Sequence, residues 1–452
     1  MQFRDAVSLA LMILLSFFLM ADMFITPAIV PELAAEYGVA NATIGVAGSA
    51  FMLLGSVMGL FIGYANDRFS RKRLLIATVL LGEAACLLTG IEAVTGSFGS
   101  FVVMRLLTGI GVGGIYPITF SLLSDYVSDR HRAKACAGVD IAWGLGMLSG
   151  PLLAGIALQT EFGWRLAFIL AAVPSFPLLA LYAWVAREPE RGARDPGHLA
   201  GDDRVAIGLA DLKQVFANSS KVLLFLQGIP GSVPWGVLPF WLITFLREDR
   251  GFELAGATTV WELFGIATVI GGLAWAAVGD WLFGKRAAYT AVLCTVVILA
   301  GMLPLYLLLN IEWAGLGHYL VLAIVGGLMI SVASSNVRAL LMNVNSPHHR
   351  GSVFAVYNFA DNLGKGAGPA LGGVILATTG DYQLMVNLAV SCWLLCAAFF
   401  AGVVFTVDQD RRTMLDYLRY ENGDMADSKR DSLARMGPEA LHAGLTAEDP
   451  KR

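Results

Sequence analysis

The stretch Gly63–Arg73, GYANDRFSRKR, gathers one acid and four bases in a chain that avoids charge almost everywhere else. Of its 452 residues 56% are hydrophobic and 15% are charged, whereas a soluble domain carries roughly 25% charged residues. On either side of the stretch lie apolar runs, each long enough to cross a ~30 Å hydrocarbon core as a helix. The runs are continuous rather than alternating, which argues against the strands of a membrane barrel. The charged stretch therefore reads as a hinge at the membrane surface, and the chain as an integral membrane protein.

Apolar runs recur near residues 7–30, 43–65, 74–95, 98–121, 133–158, 164–186, 220–246, 256–279, 287–309, 316–341, 350–377 and 382–406, which predicts twelve spanning helices. The first run is too long for a signal peptide and lacks a small-residue cleavage site. Bases collect in alternate connections: Arg68, Arg71, Lys72 and Arg73 after the second span, Arg130, Arg132 and Lys134 after the fourth, and Arg187, Arg191, Arg194 and Arg204 after the sixth. Lys285 and Arg286 follow the eighth span and Arg350 the tenth. The intervening connections PELAAEYGVANAT, IEAVTGSFGS and NIEWAGLGH contain no Lys or Arg, and Arg165, Arg247 and Arg250 are the exceptions on that side. By the positive-inside rule both termini are expected in the cytoplasm. Residues 187–219 are charged and rich in Gly and Pro, so they read as a linker between bundles 1–186 and 220–406. Residues 407–452 are expected to form a polar cytoplasmic tail, with an amphipathic piece at Met414, Leu415 and Leu418 lying along the membrane.

The two bundles repeat. RAKACAGVDIAWGLGMLSGPLLAG, from Arg132, aligns with RGSVFAVYNFADNLGKGAGPALGG, from Arg350, so that Gly146 meets Gly364 and Gly150-Pro151 meets Gly368-Pro369 at one constant offset. The hinge recurs in eroded form, DRFSRKR from Asp67 matching DWLFGKR from Asp280. Internal repeats of this kind mark transporters whose halves rock about a site near the bilayer midplane.

GYANDRFSRKR resembles the signature between the second and third helices of the major facilitator superfamily, and GLGMLSGPLLAG in the fifth span is similar to that superfamily's antiporter motif through Gly146, Gly150, Pro151 and Gly155. The resemblance implies an all-α fold of two pseudo-symmetric six-helix bundles. It also implies that Asp67 faces the start of span eleven and that Arg71 meets Asp125. Gly63, Arg68, Arg132, Asp280 and Arg350 complete that cytoplasmic gate. Within the superfamily, RLLTGIGVGGIYP and EFGWRLAFILAAVPSFPLLALYAWVAREPERG are most similar to Spinster-like lipid transporters, from whose pattern Met23 and Val112 depart.

An ionisable group at mid-membrane costs about 2.5–3.5 kcal/mol on insertion scales, so each needs a reason. The spans hold Asp22, Glu83, Arg105, Asp140, Glu262, Arg338, Asp361 and Lys365. Asp22, deep in the first span, is the first candidate for reversible protonation, with a structural pairing to Arg105 as the alternative. Asp140 and Asp361 are further candidates for proton coupling, although Asp361 and Lys365, four residues apart, are also placed to form an internal ion pair. Glu83 and Glu262 are read as facing loops or lipid head groups. Pro230, Pro234 and Pro239 in span seven predict broken backbone, of the kind tolerated where it lines a cavity. Gln227, Trp235 and Trp241 are accordingly candidates for solute contact, with Arg105, Tyr116, Trp143, Trp261, Asn336 and Lys365.

All six histidines lie in loops or tails, and the five cysteines have no metal-ligand spacing, so neither an intramembrane enzyme nor a metal or other cofactor is indicated. The expected protein is a monomeric, proton-coupled secondary transporter of a prokaryotic cytoplasmic membrane, meeting a small solute, protons and lipids but no nucleic acid. The apolar, aromatic spans and the span-five motif favour export of an amphiphilic or hydrophobic solute by antiport. Import of a small organic anion by proton symport, drawn in by Arg105, is the alternative.

Overall fold

The computed structural model describes residues 3–127, 129–189, 216, 218–345 and 350–421. In the first half the helices are α1 (Phe3–Ala28), α2 (Val30–Tyr37), α3 (Asn41–Arg68), α4 (Arg71–Thr89), α5 (Phe98–Tyr126), α6 (Asp129–Ala157), α7 (Arg165–Ala172) and α8 (Ser175–Val185). In the second they are α9 (Ser219–Glu248), α10 (Leu254–Lys285), α11 (Ala287–Asn310), α12 (Leu316–Ile330), α13 (Val332–Asn343), α14 (Arg350–Thr379) and α15 (Tyr382–Glu421). Among the described residues, ten spans are long and apolar enough to cross a membrane, α7–α8 counting as one and α12–α13 as another. The remaining two of the twelve are α4, which opens on Arg71, Lys72 and Arg73, and α14, which carries Asp361, Lys365 and many glycines. Of these, α4 packs along α5, and α14 between α3 and α9.

Close helix approach comes from glycine, because lipid supplies no hydrophobic force between helices and small residues let backbones touch. A Cβ on Gly55 of α3 would sit 2.7 Å from the Gly109 carbonyl of α5, and one on Gly111 of α5 would sit 2.6 Å from the Gly82 Cα of α4. The apolar filling between helices is large and aromatic, with Trp241, Trp261, Trp393 and Phe400 buried in the second half.

Three expectations change. First, the loop PELAAEYGVANAT contains a helix, α2. Its local signals are a Pro at the first turn, Glu32 beside the N-terminal dipole, and Gly38 closing the C-terminus in the left-handed region at φ 63°. Second, α9 stays helical through Pro230, Pro234 and Pro239. It is clamped there, because the Gly236 backbone lies against Lys365 and Gly368 of α14. Third, the amphipathic piece after residue 406 is not a separate helix; it continues α15 to Glu421. Acids fasten that extension by capping other helices: Asp410 accepts from the Ser220 amide at 2.8 Å, and Asp408 from the Ala288 amide at 3.1 Å, satisfying backbone donors that α9 and α11 leave free at their starts.

Candidate functional site: a cavity between the halves

The halves are joined by bonds at the end away from the termini. Arg247 of α9 forks onto Glu32 of α2, at 3.0 and 2.6 Å, the Asn41 amide donates to the Tyr382 hydroxyl at 2.6 Å, and the Ala370 amide donates to Ser49 Oγ at 2.7 Å. Trp241 completes this seal: its indole donates to the Pro369 carbonyl at 3.0 Å, and its ring lies where a Cβ on Gly45 would go. On the termini side of the seal lies a cavity of about 600 Å³ walled by both halves.

Charge and aromatic surface share its walls. Asp140 comes from α6, Arg338 from α13, and Asp361 with Lys365 from α14. Lys365 Nζ is 2.6 Å from Asp361 Oδ2, whereas Arg338 makes no ion pair among the described residues and is exposed. Trp235 packs between Phe264 and Trp393, with centroids 6.1 and 6.0 Å away, and Trp261 stacks on Phe24 across the halves at 6.4 Å. Gln227 is buried at the cavity edge, donating to the Leu224 carbonyl at 3.0 Å and accepting from Cys396 at 3.2 Å. Such a wall can hold a flat ring against the indoles while a cation holds an acidic group.

A second charged group is walled off inside the first half. Asp22 of α1 is 0% exposed, and both its oxygens face Arg105 of α5, at 2.7 and 3.2 Å. The Cys86 thiol donates to Asp22 Oδ1 at 3.0 Å. The guanidinium also lies over the rings of Phe51 and Phe168, at 4.9 and 5.1 Å. Arg105 borders a smaller apolar pocket that shares Met23, Phe24, Met52, Trp235 and Pro239 with the main cavity.

Residues 11–369 match the family model of the Major Facilitator Superfamily. The chain belongs to that superfamily.

This facilitator is 25% identical over 366 residues to the gentisate transporter of Corynebacterium glutamicum, covering 79% of this chain and 78% of that one. It is 27% identical over 322 residues to the 4-hydroxybenzoate transporter PcaK of Pseudomonas aeruginosa, covering 61% and 70%. It spans 56% of a metabolite transport protein of Haemophilus influenzae, at 29% identity over 52% of its own length. Among solved structures, the inward-facing, unoccupied bacterial homolog of the human lysosomal transporter Spinster superposes with TM-score 0.80 at 17% identity, over 91% of this chain and 99% of that one. The fold is thus that of a facilitator, and the protein is a transporter rather than an enzyme.

The facilitator fold brings Asp140, Gln227, Trp235, Trp261, Asp361 and Lys365 to the main cavity and sends the other candidates elsewhere. Tyr116 and Trp143 face each other at 4.9 Å in a cluster with Phe120, within electrostatic reach of Arg338, Asp140 and Asp361. Trp241 belongs to the seal. Asn336 is buried and bonds the Trp275 and Val332 carbonyls at 3.2 and 2.8 Å, so it fastens α13 to α10 and leaves the cavity to Arg338, two residues on. Glu83 meets neither loop nor head group: it is 0% exposed, because α8 covers it with Ser175, whose hydroxyl donates at 2.9 Å.

At the facilitator hinge, Arg71 and Asp125 form a buried pair, with side chains 3% and 6% exposed. Arg71 also donates to the Pro189 carbonyl at 2.8 Å. Arg68 lies over the Tyr64 ring at 4.1 Å, a Cβ on Gly63 would meet Pro117 at an ordinary 3.7 Å, and Asp280 is exposed. The side chains of Asp67, Arg132 and Arg350, and most of linker 187–219, lie outside the described residues. In the span-five motif, a Cβ on Gly146 or Gly150 would strike the backbone of α1, at 2.5 Å from the Phe17 carbonyl and 2.6 Å from that of Ala21. Their repeats Gly364 and Gly368 meet α9 in the same way, at 2.6 Å from the Ile229 carbonyl and from Gly236. Pro151 is buried beside Gly150, and Gly155 faces open space.

Two participants had no sequence assignment. Tyr357 lines the cavity one helical turn before Asp361, a spacing that a face-by-face reading of span eleven offers. Glu188 caps the start of α4, accepting from Ser70 Oγ at 2.6 Å and from the Lys72 and Arg71 amides at 2.9 and 3.0 Å. Burial pushes the Glu188 carboxyl up, but those three donors and the Arg71 guanidinium together outweigh it and hold the group below the usual carboxylate range.

Proposed function

We propose that this facilitator is a proton symporter of the cytoplasmic membrane that imports a small organic anion, an aromatic carboxylate in particular, with both termini on the cytoplasmic side. The observation that carries the reading is Arg338, an exposed cation without an ion pair among the described residues, in a cavity walled by Trp235, Trp261 and Tyr357. A carboxylate gains two parallel bonds from a guanidinium, and a ring gains contact area from the indoles. The gentisate and 4-hydroxybenzoate transporters among the relatives favour the same class of solute. Asp140 and Asp361 at the cavity, and the enclosed acids Asp22 and Glu83 of the first half, are available to carry the proton. The alternative, export of an amphiphile by antiport, drew on the span-five motif, and the packing of Gly146 and Gly150 against α1 accounts for those glycines without it.

Purified protein in vesicles, given labelled gentisate and an imposed gradient acid on the outer side, is expected to accumulate it. Arg338→Gln is expected to cut uptake at least tenfold with little change in melting temperature. Indifference to gentisate together with competition between a transported dye and lysolipid would replace this reading with the exporter.

A further inference from the structure

The enclosed group in the first half holds two carboxyls and one guanidinium. Glu83 of α4 is within electrostatic reach of Asp22 and Arg105, and all three are almost entirely out of solvent, at 0%, 0% and 4% exposure. Arg105 spends both ends of its fork on Asp22. Glu83 Oε1 receives the Ser175 hydroxyl, while Oε2 is buried with no hydrogen-bond partner. A bare buried carboxylate oxygen beside a second carboxylate is the arrangement that low-dielectric surroundings penalise most.

We infer that Glu83 holds a proton on Oε2 while Asp22 remains ionised against Arg105, and that Glu83 rather than Asp22 is the group in this cluster that exchanges a proton during transport. The cluster then sums to zero charge. The groups facing Glu83 are Asp22 from α1, Cys86 from its own helix, Arg105 from α5 and Ser175 from α8. On release, the O–H bond of Glu83 breaks, the proton leaves to water, and Arg105 is shared between the two carboxylates. Arg105 also borders the pocket next to Trp235, so a solute carboxylate entering there competes for the same guanidinium and favours the protonated form of Glu83. The exchange step rests on the proton-coupled reading above; the protonation itself does not.

Infrared spectroscopy of the reconstituted protein at neutral pH tests the protonation without any solute. A protonated-carboxyl stretch is expected in the wild type, shifted by isotopically labelled glutamate and missing in Glu83→Gln. A stretch that shifts with labelled aspartate only, or one that survives Glu83→Gln unchanged, overturns the inference. Glu262, whose Oε1 is also buried without a partner, is the other glutamate that could give this stretch, so a glutamate-shifted stretch that remains in Glu262→Gln assigns it to Glu83 even if Glu83→Gln fails to fold, and its loss in Glu262→Gln overturns the inference. In vesicles, Glu83→Gln is expected to keep gentisate exchange but to lose gradient-driven accumulation at least tenfold, and undiminished accumulation also overturns it. If the wild type does not move gentisate, the proposed solute fails while the infrared result still decides the state of Glu83.

Discussion

Arg247 of α9 and Glu32 of α2 form a two-bonded ion pair across the halves, with Arg247 reaching the Ala28 carbonyl as well, at 3.4 Å. Both side chains are partly exposed, so the pair contributes modestly, ~1 kcal/mol at the upper end for such bridges. Glu32→Gln is expected to shift the population about fivefold toward the form open at the end away from the termini. Labelling of a cysteine placed at Met52, a cavity residue beneath the seal, measures the shift as a faster reaction from the side that the seal closes.

Glycines within one motif are expected to behave oppositely. Gly150→Ala forces its methyl group into the Ala21 carbonyl, and overpacking of this kind costs about 1–3 kcal/mol. Gly155→Ala meets no atom within 4 Å and recovers up to ~1 kcal/mol of helix propensity. Melting in detergent is expected to fall for the first variant and to hold or rise for the second.

Arg71→Ala leaves Asp125 buried without its guanidinium. The variant loses the buried pair together with the bonds to Glu188 and the Pro189 carbonyl, so it is expected to melt below the wild type. Arg71→Lys is expected to recover only part of the loss. A single ammonium cannot reach Asp125, Glu188 and the Pro189 carbonyl together.

Glu188 predicts a pH dependence. Its carboxyl is held below the usual carboxylate range in the folded protein, so the unfolded chain binds the proton more readily. The stabilisation is complete above the ordinary glutamate value of about 4.3 and disappears as pH falls through the lower folded value. The gap in melting temperature between wild type and Glu188→Gln is therefore expected to be widest near neutral pH and to narrow in acid.

The spans were legible because twenty apolar residues in a row have few other uses, and the repeat was legible because glycine spacing in spans five and eleven serves one purpose twice. The Asp361–Lys365 pair follows from a spacing of four on a helix. Other parts depend on distant partners. Asn336 and Arg338 are both polar residues of the same short helix, and only the packing of α13 on α10 decides that the first is used up in bonds and the second reaches the cavity. Trp241 looks like a cavity aromatic until Gly45 and Gly372, far away in sequence, provide the slot that takes its ring. The burial of Glu83 likewise depends on α8 crossing α4, and α2 is hard to read because a helix of eight residues is too short for its apolar positions to form a run.

The partners of Asp22, Arg105 and Glu83 all come from the first half of the chain, whereas Arg338, Asp361 and Lys365 come from the second. On the proposed reading the enclosed acids belong to one half, while the cavity wall is shared by both, with Phe24 and Trp261 meeting across it. Chimaeras that exchange second halves between relatives of differing diet are predicted to keep the fuel line of the first parent and to take a menu that matches neither parent alone.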